Sequence, residues 1–414
     1  MKLLIYGINF APELTGIGKY SGEMVQWLSD RGHAVEVVTA PPYYPAWQRA
    51  DGYPAWGYRH ENWGQGGTVR VTRCPLWVPA RPSGLKRLIH LASFALSSAP
   101  ALWRVLRDIK RRPDAVVLVV PTLFTAPAAL WLGRRYGVPV WLHVQDFEVD
   151  AMLGMGIVVG GGGLANLAYR FERWCLRSAA VASSITGKMV DRLLAKGVDP
   201  KCAQLFPNWV DLSSVYPLPR PNAFRAELGL AESDVLVLYS GNMGEKQGLE
   251  LVIEAARRLQ SVPGLRFVLA GDGGARPRLM AQAQGLANLQ WLPLQPSERL
   301  NLMLNAADIH VLPQRADAAD LVMPSKLTGM LASGRAVVGT AAADTQLGAV
   351  LSQCGVRIEP GDAAALADTL QVLARQPERR DALGAAGRAY AKAELAQDAI
   401  LLKFESAVRA LASR

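Results

Sequence analysis

Four loops in this chain place glycines beside cations or hydroxyls, the composition of an anion-binding loop. Ser240-Gly241-Asn242-Met243-Gly244-Glu245-Lys246-Gln247-Gly248 joins a strand pattern to a helix pattern. Its glycines open the backbone, and Lys246 adds a point charge beside a helix start, a combination suited to a pyrophosphate. It lacks the Gly-Lys-Ser/Thr triplet of a Walker loop. Met323-Pro324-Ser325-Lys326 reads as a second phosphate grip, with Pro324-Ser325 opening a helix near Lys326. Gly271-Asp272-Gly273 after a strand is a weaker signal that an ordinary turn explains equally well. Near the N-terminus, Gly16-Ile17-Gly18 precedes a helix and lets backbone amides approach a phosphate or sugar. A nicotinamide fingerprint does not fit there. Seven residues separate Ile8 from Gly16, and the second strand ends Val38-Thr39-Ala40-Pro41 without the ribose-binding acid.

Candidate catalytic residues lie in Val140-Trp141-Leu142-His143-Val144-Gln145-Asp146, with Asp146 the candidate proton acceptor. His143 and Asp146 fall at the carboxyl end of a strand pattern, the edge where such sheets keep their ligands. A buried, satisfied histidine and a helix-capping aspartate are the plain alternatives. No paired carboxylates suggest a covalent intermediate, and no His/Asp cluster suggests a metal. A metal-free reaction is the expectation.

These loops need parallel strands to present them. Strand patterns run over 3–8, 34–39, 115–120 and 138–144, with helix patterns between, including 21–31. The rhythm restarts after Pro207-Asn208-Trp209-Val210-Asp211 and the proline-rich stretch 217–221. There the strands are 235–239, 266–270, 288–292, 309–313 and 336–339. Alternating strand and helix implies an α/β fold of two Rossmann-like, doubly wound lobes facing a central cleft. The expected division is one lobe over 1–210, a second over 222–395, and a C-terminal helix over 396–414 that returns to the first lobe. The proline-rich stretch is the expected linker.

Charge is uneven. Residues 1–210 hold 24 basic and 14 acidic side chains, against 21 of each in the remainder. The excess concentrates in 81–112, where Arg81, Lys86, Arg87, Arg104, Arg107, Lys110, Arg111 and Arg112 face one acid, Asp108. They bracket an apolar run over 88–103, broken by Pro100 and too short to span a bilayer. It reads as an interfacial helix docking on anionic lipid through Lys86, Arg87, Arg104, Arg107 and Arg111, or else as a buried helix of the first lobe. Aromatics over 42–63 suit a membrane interface or a sugar-stacking surface. Bases bracketing an apolar run do not make a nucleic-acid reader. Four cysteines without a CxxC pair exclude a zinc ribbon and suggest a reduced, cytoplasmic setting. The N-terminal Met-Lys-Leu-Leu-Ile-Tyr-Gly reads as a first buried strand, not a signal peptide.

The order of these motifs, with Arg31-Gly32-His33-Ala34-Val35 and Pro207-Asn208-Trp209-Val210-Asp211, resembles the GT-B glycosyltransferases of the large retaining family 4 (group 1) along essentially the whole chain. Asn-Phe-Ala-Pro-Glu-Leu-Thr-Gly-Ile-Gly-Lys-Tyr and Gly-Asn-Met-Gly-Glu-Lys-Gln-Gly-Leu are similar to bacterial exopolysaccharide enzymes of the colanic-acid type. The resemblance implies a hexosyltransferase with a GDP- or UDP-linked sugar as co-substrate and no other cofactor, with fucose suggested by the subgroup. A lipid-diphosphate-linked saccharide would accept the sugar at the inner face of the plasma membrane. It implies phosphate binding by Lys246, Ser325, Lys326 and Asn242, the last standing where many members have arginine. Gly16 and Gly18 match the loop that closes on the donor, and His143, Asp146 and Lys246 fall where the family works. The family's two glutamates align with Leu321 and Gly329, so the ribose ligand is open, with Asp317 and Asp320 as neighbouring substitutes. A sugar-nucleotide epimerase of the same architecture, or a non-catalytic subunit of a polysaccharide assembly complex, are the competing readings.

Overall fold

The computed structural model describes the chain apart from residues 14–15, 81–82, 151–162, 316–323 and 414, and apart from the side chains of Gln65 and Lys246. The chain divides into two compact units, Met1–Pro207 with Ile400–Arg414, and Asn208–Ala399.

The first unit runs β1 (Lys2–Tyr6), α1 (Gly16–Asp30), β2 (Ala34–Thr39), β3 (Arg59–Trp63), β4 (Val69–Arg73), α2 (Gly84–Arg107), β5 (Ala115–Val120), α3 (Ala126–Tyr136), β6 (Val140–Val144), α4 (Gly163–Ser178), β7 (Val181–Ser184), α5 (Gly187–Ala195) and β8 (Ala203–Leu205). Its sheet has the order β3-β4-β2-β1-β5-β6-β7-β8. Only β3 runs antiparallel, against β4. Strand β5, Ala-Val-Val-Leu-Val-Val, is buried at every residue, as a parallel strand covered on both faces must be. The order reverses between β1 and β5, so the loops after them open at a switch point.

The second unit contains α6 (Ala223–Glu227), β9 (Val235–Ser240), α7 (Glu250–Arg258), β10 (Leu265–Ala270), α8 (Arg276–Gln282), β11 (Leu289–Leu292), α9 (Leu300–Ala306), β12 (Ile309–Leu312), α10 (Lys326–Ala332), β13 (Ala336–Thr340), α11 (Gln346–Cys354), β14 (Val356–Ile358), α12 (Ala363–Ala374) and α13 (Pro377–Glu394). Its sheet, β11-β10-β9-β12-β13-β14, pairs in parallel throughout and reverses order between β9 and β12. Val237, Leu269, Val311 and Val338 fill its core from neighbouring strands.

The last helix, α14 (Gln397–Ala412), packs into the first unit. Phe404 stacks on Phe206 with centroids 4.5 Å apart and meets Trp141 edge-on at 5.2 Å. The proline-rich stretch, expected as a linker, is strapped to the second unit. The Tyr216 and Leu218 amides donate to the side-chain oxygens of Asn301 and Asn305 on α9, at 3.1 and 2.8 Å.

Two local expectations change. The run over 88–103 is the middle of a 24-residue helix that Pro100 does not end. Phe94, Ala101, Leu102, Val105 and Leu106 on one face are buried, and that packing outweighs the lost backbone hydrogen bond. The aromatic stretch over 42–63 contributes β3, whose polar sequence Arg-His-Glu-Asn-Trp gave no alternating apolar signal.

Candidate functional site

In the second unit, the loops after β9, β10 and β12 lie side by side because those strands are neighbours. The first two interlock. The Gly241 amide donates to the Ala270 carbonyl at 2.9 Å, and the Met243 amide to the Asp272 carbonyl at 2.7 Å. Gly271, at φ +144°, lies so close that an added Cβ would stand 1.9 Å from the Gly241 carbonyl oxygen. Gly273 packs likewise against Asn242 and Met243. The Asp272 carboxylate is spent locally, accepting the Gly273 amide at 2.8 Å.

Lys326, the first residue of α10, crosses over Gly241, where a Cβ would fall 2.3 Å from the lysine Cε. Its Nζ donates to the Tyr239 hydroxyl and, at 3.1 Å, to the Asn242 carbonyl. It also lies 4.5 Å from the Tyr239 ring centroid. Desolvation pushes the ammonium down to about 7. Ser325 stands at the helix start without a capping hydrogen bond from its side chain. The β9–β10–β12 edge thus gathers Asn242, Gly271, Asp272, Gly273, Ser325 and Lys326. Lys246 follows in the 3-10 turn Glu245–Gln247, and its side chain lies outside the described residues. So do Leu321, Asp317 and Asp320. Gly329, in α10, supplies no carboxylate. Sequence reasoning missed Tyr239, an aromatic one residue before the end of β9 and two before Gly241. It also missed Arg278, whose guanidinium ties Glu245 of the loop, at 2.6 Å, and Glu250 of α7.

In the first unit, the loop after β1 is built around Glu13. Its carboxylate accepts the amides of Tyr43 and Tyr44, both at 3.1 Å, and the Asn9 amide group at 2.9 Å. Burial pushes this carboxyl up despite those bonds. Gly18 is needed here because a Cβ would strike the Glu13 side chain at 2.5 Å. Gly16 starts α1 at φ +60°. Arg73, 1% exposed, clamps the loop through the carbonyls of Ala11, at 2.6 Å, and Ala40, at 3.1 Å. Its sequence position, ending an ordinary strand, gave no warning of that role.

His143 is sealed into the sheet. Nδ1 pairs with the Ser183 hydroxyl at 2.9 Å and Nε2 with the Gln145 amide nitrogen at 3.0 Å. Burial drives its pKa down to about 3, so the ring is neutral. With both nitrogens paired within the sheet, His143 links β6 to β7. Asp146 is half-buried two residues beyond β6. Its neighbour Glu148 accepts the Leu123 amide at 2.6 Å. Desolvation, with the charge of Asp146 adding to it, raises the Glu148 carboxyl to about 7.

On α2, Lys86, Arg87, Arg104 and Arg107 are exposed, alongside Leu85, Ile89, Leu96 and Trp103. Spacings of four and seven residues align these four apolar side chains on one face. Arg111 differs. It forms a two-pronged bond to Glu36 at 2.9 and 2.7 Å, so its charge is already neutralised. Arg81 lies outside the described residues. Among the described residues no helix is long and apolar enough to cross a membrane, and no cluster of three or more His, Cys, Asp or Glu could hold a metal ion.

Residues 15–209 match the family described as glycosyl transferase 4-like domain, and residues 222–390 the glycosyl transferases group 1 family. The chain is 44% identical to "Putative colanic acid biosynthesis glycosyl transferase WcaI" of Escherichia coli (strain K12), covering 99% of this chain and 100% of that one. It is 28% identical to a D-inositol 3-phosphate glycosyltransferase of Segniliparus rotundus over 51% of this chain and 48% of the relative. Among solved structures, sucrose-phosphate synthase from Thermosynechococcus elongatus shares the fold with TM-score 0.78 at 18% identity, over 99% of this chain and 98% of that one. HepE of Anabaena, in complex with UDP, aligns with TM-score 0.71 at 14% identity, over 99% and 100% of the two chains.

Proposed function

The chain belongs to the group 1 glycosyltransferases, enzymes of GT-B fold that use nucleotide-sugar donors, and from that premise we propose a retaining sugar transfer in exopolysaccharide synthesis of the colanic-acid type. The donor is GDP- or UDP-linked, with fucose as the first sugar to test. The acceptor is a lipid-diphosphate-linked saccharide at an anionic membrane face on the cytoplasmic side, which the exposed apolar and basic face of α2 would engage.

One observation carries the donor assignment. Lys326 is held half-buried and poorly solvated at the switch point of the second sheet, over a glycine that leaves it room. A cation kept short of water is poised to gain from an anionic ligand. In this reading Lys326 and Lys246 take the diphosphate, Asn242 and Ser325 add hydrogen bonds, and the amides around Gly271 and Gly273 complete the loop. Positive charge there stabilises the leaving nucleotide as the glycosidic bond breaks. In the first unit, the loop bearing Gly16 and Gly18 offers open backbone amides to a phosphate or sugar. Asp146, or the departing phosphate itself, takes the proton of the acceptor hydroxyl. No metal is assigned a step.

The test is a thermal-shift panel of GDP- and UDP-sugars on wild type, Lys246→Ala and Lys326→Ala. A ligand that binds only the native state raises its melting temperature. One donor should shift wild type, and both variants should lose the shift. Failure of every donor, with and without lipid, overturns the donor site. Product analysis separates the transferase from a sugar-nucleotide epimerase, since the epimerase releases an altered nucleotide sugar without an acceptor.

A further inference from the structure

The chain between β2 and α2 surrounds a cavity of about 570 Å³, the size of a small-molecule site. It lies beyond the carboxyl ends of β2 and β4, wholly inside the first unit. Four aromatic rings line it, Trp47, Tyr53, Trp56 and Trp77, with Arg49 and Asp51 among them. Two of those rings stand in water. Trp56 is 83% exposed and Trp77 41%.

Three of the four rings, Trp47, Tyr53 and Trp77, stand on backbone that the structure holds in place. The Trp77 amide donates to the Ser93 hydroxyl at 3.2 Å, and its carbonyl accepts from His90 Nδ1 at 2.7 Å. The Tyr53 carbonyl accepts from Arg49 Nε at 3.0 Å. Trp47 sits at φ +53°, the one non-glycine residue with a left-handed backbone among the described residues. Such a conformation persists only where its surroundings impose it. Here the indole meets Tyr43 edge-on at 5.7 Å and lies beneath the Arg87 guanidinium at 5.3 Å. Arg59 likewise lies over the Tyr53 ring at 4.6 Å, so two held and covered rings flank the two open ones, and Trp77, held by its backbone with its ring open, is pre-organised to bind.

The ligand must be flat and apolar on its faces and polar at its edge. An alkyl chain has no use for Arg49 and Asp51. A nucleoside diphosphate would meet the Asp51 carboxylate where it needs cations. A pyranose meets both demands, with C–H faces for indole rings and hydroxyls for the charged pair. We propose that this cavity binds pyranose units of a saccharide, as the sugar chain of the acceptor. The acceptor role rests on the glycosyltransferase reading above, while the saccharide site stands on its own geometry.

The experiment is a tryptophan-fluorescence titration with cellotetraose, maltotetraose and β-1,4-galactotetraose at millimolar concentrations. It uses wild type, Trp56→Ala, Trp77→Ala and the matching phenylalanine variants. At least one tetrasaccharide should change the fluorescence of wild type saturably. Each alanine should weaken binding roughly tenfold, the cost of losing one well-placed aromatic anchor, and each phenylalanine should restore most of it. Trp56 is exposed enough that its variant keeps the fold, so an unfolded Trp77→Ala protein does not void the test. The proposal is overturned if no tetrasaccharide binds, or if the alanine variants lose only sedimentation with anionic phospholipid vesicles, which makes the rings a membrane contact. Thermal shifts with nucleotide sugars on the same wild-type sample read the other proposal separately. Saccharide binding without a donor shift keeps the cavity and removes the donor site, and the reverse result does the opposite.

Discussion

Lys326 and Tyr239 are joined at the carboxyl edge of the second sheet, the ammonium donating to the phenol oxygen and lying 4.5 Å from the ring centroid. Desolvation holds the lysine at about 7, so its charge is half lost at neutral pH. A sugar nucleotide keeps its diphosphate ionised throughout this range and favours the protonated lysine. Donor binding should therefore take up a proton and weaken as pH rises from 7 to 9. Calorimetry in two buffers of different ionisation enthalpy measures the uptake. Lys326→Arg, always charged, should flatten the pH dependence, and a slope that survives in Lys326→Arg refutes the assignment. In the free protein the sign is opposite. The unfolded lysine binds its proton up to about 10.4, so stability should rise with pH between about 7 and that value. Lys326→Met should remove the rise.

The C-terminal helix carries a second prediction. Glu405 on α14 pairs with His33 at 2.8 Å and with Arg31 at 3.0 Å. Burial raises its carboxyl, but hydrogen bonds from His33, Arg409 and Arg31 outweigh that and leave it below the ordinary range. A depressed carboxylate stabilises above its unfolded pKa and loses the effect as pH falls through the folded one. Glu405→Gln should cost about 1.5–3 kcal/mol near neutrality, the value of hydrogen bonds to a charged group. The cost should vanish in strong acid, which urea unfolding at both pH values checks.

Glu148 should behave in the reverse sense. Its carboxyl is raised to about 7, so the native state holds its proton where the unfolded chain has lost it. That contribution is complete below the unfolded pKa and disappears as pH rises through 7. Glu148→Gln keeps an acceptor for the Leu123 amide and never ionises. It should match wild type at pH 5 and melt higher at pH 8. Equal melting curves at both would show that the carboxyl is not desolvated.

Parallel strands were legible because their burial on both faces writes itself as unbroken apolar runs. Expected and observed strands coincide at Ala34–Thr39 and Ala115–Val120. The glycine loops were legible too, since only glycine permits the contact between Gly241 and Gly271. What stayed hidden depends on long-range approach. Arg73 looks like any strand-end arginine until the fold sets the carbonyls of Ala11 and Ala40 within its reach. His143 gives no sign in the sequence that its Nδ1 pairs with Ser183, forty residues away. Arg31 and His33 sit in one short motif, and the partner they share, Glu405, lies more than 370 residues on.

The membrane docking proposed for α2 would distinguish side chains that the sequence groups together. Lys86, Arg87, Arg104 and Arg107 are exposed on α2 beside Leu85, Ile89, Leu96 and Trp103, whereas Arg111 is bound to Glu36. A basic residue near an anionic leaflet contributes about 1 kcal/mol, and exposed leucines add buried apolar area. Leu96→Glu should abolish sedimentation with phosphatidylserine vesicles, since Leu96 is 77% exposed and its loss leaves the core untouched. Lys86→Ala with Arg104→Ala should weaken sedimentation by about tenfold to a hundredfold and reduce its salt dependence. Arg111→Ala should leave vesicle binding unchanged and lower the melting temperature, because Glu36 loses its two-pronged partner and keeps only the longer pair with Arg70, at 3.6 Å. If Arg111→Ala weakens vesicle binding as much as the other changes do, the lipid-facing side of α2 is not the one assigned.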